Sequence, residues 1–304
     1  MRSAARLPTL LAALLGLATA PAPLRAAEAF QPPGRIVEAG PEHLHLLCLG
    51  TGEPTVLFES GLGGTYLDWT YVQPLVAATV RACAYDRAGM GFSEAASRPR
   101  TLQNLNADTE ALLAAAGVTG PVVVVGHSLG GMLSLHFARL HPDRVVGLVL
   151  VDSMHPDQFA RFEDAGAQVS QDPNLVLGRT HPAAAAYGLP DALQGRAIWL
   201  ATETKARKAV IGEMKAMPDN LGRVTSDGFP HIPARVLVHG NGEWNNVYGD
   251  GRMEREWLAM QQDLASRLGA PPPVVVDGAS HQIPLDAPRV VASAIADLIV
   301  AKAP

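Results

Sequence analysis

The amino-acid sequence predicts an α/β protein in which a mostly parallel sheet is flanked by helices. Short apolar runs rich in valine and leucine recur along the chain, and most segments between them carry apolar residues at helical spacing. Strands buried on both faces read as continuous apolar runs, and strands that alternate with helices form parallel sheets. The alternation is interrupted once, after Val151, which predicts an inserted segment.

Turn residues and apolar patterning define the elements of the first half of the chain. Gly40-Pro41 joins two predicted strands as a hairpin, and Gly117 suits the C-terminus of a helix. The predicted strands span residues 34–39, 43–50, 55–59, 80–85, 121–125 and 145–151. The predicted helices span residues 69–78 and 101–116, and a further helix follows Ser128.

The second half begins with a predicted helical cap, residues 155–232, whose Ala-rich, Gln-rich and charged stretches contain no convincing strand. Alternation then resumes with strands over residues 234–239 and 273–276 and helices over residues 252–268 and 290–301. The prediction is therefore one domain with an insertion, in which residues 27–154 and 233–304 form the core.

The N-terminus has the pattern of a secretory signal peptide, residues 1–26. Arg2 and Arg6 precede an apolar segment, which is followed by small residues and prolines up to Ala26-Ala27. The apolar segment is shorter than the roughly 20 residues of a membrane span, so stable membrane insertion is not expected. We expect an exported protein that is periplasmic or secreted.

Charge argues against nucleic acid as a partner. The formal net charge is −5, and removal of Arg2, Arg6 and Arg25 with the signal peptide makes it −8. The chain after the predicted signal peptide contains no run of basic residues, whereas nucleic-acid binding needs a basic patch.

The stretch Gly126-His127-Ser128-Leu129-Gly130-Gly131 carries the strongest chemical signal. It follows four valines and opens into a helical pattern, so Ser128 is placed on a sharp turn between a strand and a helix. Amides at the N-terminus of that helix could meet a developing oxyanion. An ordinary turn of small residues is the alternative, but the strand and helix on either side favour a serine nucleophile.

Several stretches together resemble the α/β-hydrolase fold superfamily from about residue 35 to the C-terminus: residues 60–64, 85–93, 126–131, 148–152 and 278–281. The resemblance implies an eight-stranded, mostly parallel sheet with a helical cap after the sixth strand. It also implies an oxyanion hole made by the backbone amides of Leu62 and Leu129. Where many members have His-Gly before the first of these, this chain has Ser60-Gly61.

The resemblance places the general base at His281, in the polar loop after the last strand. Histidine titrates in the range needed to take a proton from serine. Other histidines receive structural roles: His127 is expected to pack inside the turn, and His239 closes a regular element and is not expected to act.

Two carboxylates compete to orient His281. Asp152 ends the sixth strand, a position that some members use, and Glu243 follows the seventh strand, where most members place theirs. Asp152 is favoured, because the glycine-rich loop around Glu243 lacks the usual aspartate. Asp86 and Arg87 are expected to hold a loop by hydrogen bonds rather than to act in catalysis.

Cys48 and Cys83 lie in apolar strand-like runs, and buried free thiols are the preferred interpretation. The alternative is a disulfide, because the resemblance makes their two strands neighbours and an exported protein meets an oxidising compartment.

The predicted function is that of a serine hydrolase, a carboxylesterase that cleaves a small-molecule ester through an acyl-enzyme intermediate. No cofactor is expected, and no metal site is expected because no histidine and cysteine cluster has ligand spacing. The same residues would also serve an amidase, a peptidase or a carbon-carbon bond hydrolase, or a catalytically silent binding protein. Epoxide hydrolases of this fold carry aspartate at the turn, which Ser128 argues against. The oligomeric state stays open.

Overall fold

The computed structural model describes residues 30–166, 186–244 and 249–300. The predicted signal peptide, residues 1–26, and residues 167–185 of the predicted cap lie outside the described residues.

Eight strands form one sheet in the order β1-β2-β4-β3-β5-β6-β7-β8. β1 and β2 pair in antiparallel fashion, as do β2 and β4, and every other pair is parallel. The strands are Arg35–Ala39, Glu42–Leu49, Thr55–Glu59, Ala82–Tyr85, Val122–His127, Val145–Val151, Ala234–His239 and Val274–Val276. This arrangement confirms the predicted fold class.

Helices cover both faces of this sheet. They are α1 (Val72–Ala77), α2 (Leu102–Ala115), α3 (Leu129–Leu140), α4 (Gln158–Asp164), α5 (Asp191–Thr202), α6 (Thr204–Asp227), α7 (Arg252–Leu268), α8 (Ile283–Asp286) and α9 (Pro288–Val300). The predicted helix over residues 69–78 is divided into a 3-10 helix, Tyr66–Trp69, and α1. The strand predicted from residue 80 starts at Ala82, because the amide of Val80 bonds back to Val76 to close α1.

The valine side chains of β5 pack alternately into two apolar layers, one on each face of the sheet. Val122 and Val124 pack in the layer that includes α2, α3 and part of α6. Val123 and Val125 pack in the opposite layer, which includes α1, α5 and α9. Because successive side chains of a strand point to opposite faces, a strand covered on both sides is apolar at every position.

Three helices, α4, α5 and α6, make up the described part of the segment between β6 and β7, and this part contains no strand. The helical insertion after the sixth strand is thus present, while its domain boundaries at residues 155 and 232 stay predictions. None of the helices in the described ranges has the length and apolar character needed to cross a membrane.

Cys48 and Cys83 form a disulfide, so the preferred prediction of free thiols was wrong. β2 and β4 are antiparallel neighbours, and their register places Cys48 directly opposite Cys83. The register of two strands so far apart in the sequence could not be read from composition, whereas in the sheet it brings the two thiols together.

Candidate active site

Ser128 lies on a tight turn between β5 and α3 with φ 54° and ψ −121°. The turn requires glycine at its flanks: a Cβ on Gly126 would lie 2.3 Å from the carbonyl oxygen of Gly130. A Cβ on Gly130 would lie 2.1 Å from the carbonyl oxygen of Glu59 on β3. Glycine at these two positions therefore allows the backbone to pack closely around Ser128 at the carboxyl edge of the sheet. The backbone amide of Ser128 donates there to the carbonyl oxygen of Val151 over 3.1 Å.

The loop after β3 lies directly against this turn. A Cβ on Gly61 would lie 3.2 Å from the Cβ of Ser128, so Leu62, the next residue, is close to the serine as well. Leu129 is the first residue of α3, and the first amides of a helix have no partner within the helix. The two backbone amides predicted for an oxyanion hole, those of Leu62 and Leu129, therefore belong to segments that meet at Ser128.

The side chain of Ser60, which stands where many relatives have histidine, has a structural role. Its hydroxyl donates to the carbonyl oxygen of Thr65 over 2.8 Å and accepts from Nε1 of Trp69 over 2.9 Å. Asp86 holds the loop that follows it by accepting the amide of Phe92 over 2.9 Å. That bond confirms the structural role predicted for Asp86.

The two candidate acids contact different parts of His281. Oδ2 of Asp152 lies 2.6 Å from Nδ1 of the imidazole. Glu243 instead accepts the backbone amide of His281 over 2.6 Å. The ring of His281 is next to the serine turn, because its centroid lies 4.6 Å from that of the His127 ring. Nε2 of His127 also bonds the backbone carbonyl oxygen of His281 over 2.8 Å. The structure thus brings Asp152, rather than Glu243, to the imidazole.

Asp152 is fully buried and has further donors that sequence reasoning missed. Nδ1 of His239 lies 2.6 Å from Oδ2, the backbone amide of His239 lies 3.1 Å from Oδ1, and Nε1 of Trp257 lies 2.8 Å from Oδ1. Burial raises the pKa of Asp152, but the bonds from His239 and His281 outweigh it and hold the pKa well below its usual range. Asp152 is therefore ionised at neutral pH.

His239 closes β7, as predicted, and its ring also contacts Asp152, which the sequence analysis did not foresee. β6 and β7 are parallel neighbours, so their carboxyl ends meet at one edge of the sheet. Asp152 follows β6 and His239 ends β7, so this strand pairing was the signal that could have predicted their contact. Trp257 gave no such signal, because its position depends on how α7 packs on the sheet. Asp152, His239 and His281 hold ligand-type atoms within 4.8 Å of one another. Because the atoms that face each other already share hydrogen bonds, we regard the group as a hydrogen-bonded cluster.

Comparison with known proteins assigns the chain to a family. A sequence model described as "Alpha/beta hydrolase family" matches residues 56–294, which is most of the chain. The chain belongs to the alpha/beta hydrolase family. An AB hydrolase superfamily protein of Gibberella zeae is 37% identical to this chain over 105 residues, 33% of each chain. The chain matches only part of the first three curated relatives, and the aligned regions span 15% to 33% of the length of those proteins.

Solved structures share the fold of this chain over nearly its whole length. A thermophilic esterase from Thermogutta terrifontis has a TM-score of 0.62 and 21% identity, covering 90% of this chain and 99% of its own. A laboratory-evolved variant of potato epoxide hydrolase has a TM-score of 0.66 and 20% identity, covering 88% and 98%. Such low identities show the fold alone.

A buried ion network supports the loop after β3, residues 60–64, from behind. Arg87 donates to the carbonyl oxygens of Ser60 over 2.5 Å and of Gly61 over 2.7 Å. The same guanidinium pairs with Glu59 on β3 at 2.9 Å and with Glu213 on α6 at 2.8 Å. Arg87 thus has a structural role, as predicted, but its side chain holds the loop after β3 rather than the loop that follows Arg87 itself. The pair with Glu213 adds a connection to the helical insertion that the sequence did not indicate.

Proposed function

We propose that this member of the family is a serine hydrolase that cleaves carboxylic esters through an acyl-enzyme intermediate. Ser128 is the nucleophile, His281 the general base and Asp152 the carboxylate that orients His281. The amides of Leu62 and Leu129 form the oxyanion hole. The observation that carries the proposal is the 2.6 Å contact between the buried Asp152 and Nδ1 of His281 beside the Ser128 turn.

The proposed reaction has two halves. Nε2 of His281 takes the hydroxyl proton as Oγ of Ser128 attacks the ester carbonyl, and the two amides donate to the oxygen that becomes negative. His281 then gives its proton to the leaving alcohol, which leaves an acyl group on Ser128. Water, deprotonated by His281, attacks that acyl group and releases the carboxylic acid and free Ser128.

The residue at the turn favours ester hydrolysis over epoxide opening. An esterase and an epoxide hydrolase both share the fold of this chain, so the fold does not separate the two reactions. Epoxide hydrolases of this fold carry an aspartate at the turn between the strand and the helix, whereas this chain has Ser128 there. A serine hydroxyl activated by histidine supports acyl transfer.

The test compares Ser128→Ala with Ser134→Ala, a control on the buried face of α3. We expect Ser128→Ala to abolish both hydrolysis of short p-nitrophenyl esters and covalent labelling by a fluorophosphonate. Ser134→Ala should keep both. Hydrolysis by Ser128→Ala at the wild-type rate would contradict the proposal, and a panel of esters, amides and lactones on the wild type would define the bond cleaved.

We further propose that the chain is exported and cleaved after residue 26. The disulfide between Cys48 and Cys83 supports this, because disulfides persist in oxidising compartments. Mass spectrometry of the protein expressed with its native N-terminus should give a chain that lacks residues 1–26 and has no free thiol. An intact N-terminus in the cytoplasmic fraction would contradict export.

A further inference from the structure

The carboxylate of Asp152 lies between two imidazoles. Its Oδ2 is 2.6 Å from Nδ1 of His281 and 2.6 Å from Nδ1 of His239. An ionised carboxylate only accepts hydrogen bonds, so both Nδ1 atoms carry protons and both rings have a fixed orientation. The backbone amide of His239 also donates to Oδ1 over 3.1 Å, which fixes the second carboxylate oxygen.

The other side of the His239 ring faces a second carboxylate. Nε2 lies 3.1 Å from Oε1 of Glu254 on α7, an ion-pair distance, and the His239 side chain is fully buried while that of Glu254 is 23% exposed. A lone pair on Nε2 would be repelled by the Glu254 carboxylate. A proton on Nε2 removes that repulsion and makes His239 an imidazolium between two carboxylates.

The charges around His239 agree with an imidazolium. Burial alone lowers the pKa of His239, but the hydrogen bond and charge of Asp152, together with Glu254, outweigh it and raise the pKa. From β8 the residue opposite His239 is the apolar Val276. The titratable groups next to the His239 ring are Asp152 from β6 and Glu254 from α7. His281, from the loop after β8, shares the Asp152 carboxylate and is itself contacted by His127 and Glu243.

We propose that His239 is a positioning residue that holds the Asp152 carboxylate toward His281. This inference rests on the proposed function and deepens it by adding a residue that positions the same site. The ring and the backbone amide of His239 bond both carboxylate oxygens of Asp152. Oδ2 is thereby held toward Nδ1 of His281.

The kinetic test uses two substitutions of His239. In His239→Leu the hydrogen bond to Asp152 is lost, and we expect kcat for an ester substrate to fall about ten- to hundredfold, with KM unchanged. In His239→Asn the side-chain amide can still donate to Asp152, so kcat should recover to within a few-fold.

His43→Asn is the control, because His43 is a half-exposed histidine that pairs with Glu94. Its kcat should match the wild type. A wild-type kcat in His239→Leu, or a failure of asparagine to restore kcat in a folded protein, would overturn the inference.

NMR of the histidine rings separates this inference from the proposed function, because it is done in Ser128→Ala and needs no activity. The Nδ1 proton of His281 reports its hydrogen bond to Asp152. Adding His239→Leu should move the resonance of this proton, and adding His239→Asn should return it toward its original position. Adding Glu254→Gln, at a partly exposed position, should lower the titration midpoint of His239. An unchanged resonance in His239→Leu or an unchanged midpoint in Glu254→Gln overturns the inference, whereas ester hydrolysis by Ser128→Ala would overturn only the proposed function.

Discussion

Ser128 and Asp152 share an unusual backbone conformation. With φ of 54° and 45°, they are the non-glycine residues with positive φ in the described part of the chain. Such conformations cost on the order of 1–3 kcal/mol each and persist where the surrounding structure enforces them, often at functional sites. Here the glycines around Ser128 and the hydrogen bonds around Asp152 enforce them. The strain thus falls on two residues proposed for catalysis.

At the residue scale, Asp152→Asn and Glu243→Gln should differ sharply. Loss of the carboxylate that orients the base costs about 10⁴ in kcat, and we expect that loss for Asp152→Asn in ester hydrolysis. Glu243 accepts the backbone amide of His281, so Glu243→Gln should keep kcat within about tenfold, the effect of one weakened hydrogen bond. Steady-state kinetics with unfolding curves as the folding control would check this, and equal losses would contradict the assignment of Asp152.

At the scale of elements, α6 is fixed to the core by buried charges. Glu213 pairs with Arg87 at 2.8 Å and with Arg100 at 2.9 Å, and all three side chains are buried. Burial raises the pKa of Glu213, but the two guanidiniums outweigh it, so the pKa lies below its usual value. Arg87 also bonds the loop after β3 that carries Leu62. The same guanidinium therefore fixes both α6 and one side of the proposed oxyanion hole.

Substitution Glu213→Leu should therefore destabilise the protein and impair catalysis together. Removing one partner of a buried ion pair costs about 3–5 kcal/mol, because the remaining charges are uncompensated. Denaturant unfolding should show that loss, and kcat should fall because Arg87 loses a partner that positions it. Lys208→Leu, at an exposed position on the same helix, is the control and should change neither. A Glu213→Leu protein with wild-type stability would show that the network does not fix α6.

The disulfide between β2 and β4 should stabilise the antiparallel edge of the sheet. The cysteines are 35 residues apart, and a loop of that length gives about 3–4 kcal/mol in the chain-entropy account. The double substitution Cys48→Ser with Cys83→Ser should lower the free energy of unfolding by about that amount. Reductant should destabilise the wild type alone, and an equal response of both proteins to reductant would contradict the prediction.

For the whole molecule, buried neutral histidines make stability depend on pH. Burial lowers the pKa of His127 to about 3, and the charge of His281 adds to the effect. Nδ1 of His127 has no hydrogen-bond partner among the described residues, so a proton placed there would be unsatisfied. The unfolded chain binds that proton below about pH 6.5. Stability contributed by neutral His127 is therefore complete above pH 6.5 and is lost as the pH falls toward 3.

His127→Gln should make the stability less sensitive to acid. Glutamine can keep the hydrogen bond to the carbonyl oxygen of His281 but does not titrate. Between pH 6.5 and 3 the wild type should lose about 1.4 kcal/mol per pH unit more than the variant. Urea unfolding at several pH values would measure both slopes, and parallel curves would contradict the role of His127.

The sequence by itself determined the alternation of strands and helices, the insertion after β6 and the turn that carries Ser128. These features depend on neighbouring residues: four valines make a strand covered on both faces, and the glycines around Ser128 allow a turn that other residues would block. Element ends were less well predicted, as at Val80, where a hydrogen bond back to α1 delays the strand.

Tertiary structure alone decided which side chains meet. Asp152 reaches the imidazole of His281 while Glu243 reaches only its backbone, and His239 lies on the other side of the same carboxylate. Cys48 meets Cys83 through strand register. Each pairing joins residues distant in the sequence, and it depends on the direction of a side chain and the packing of whole elements, which local pattern does not encode.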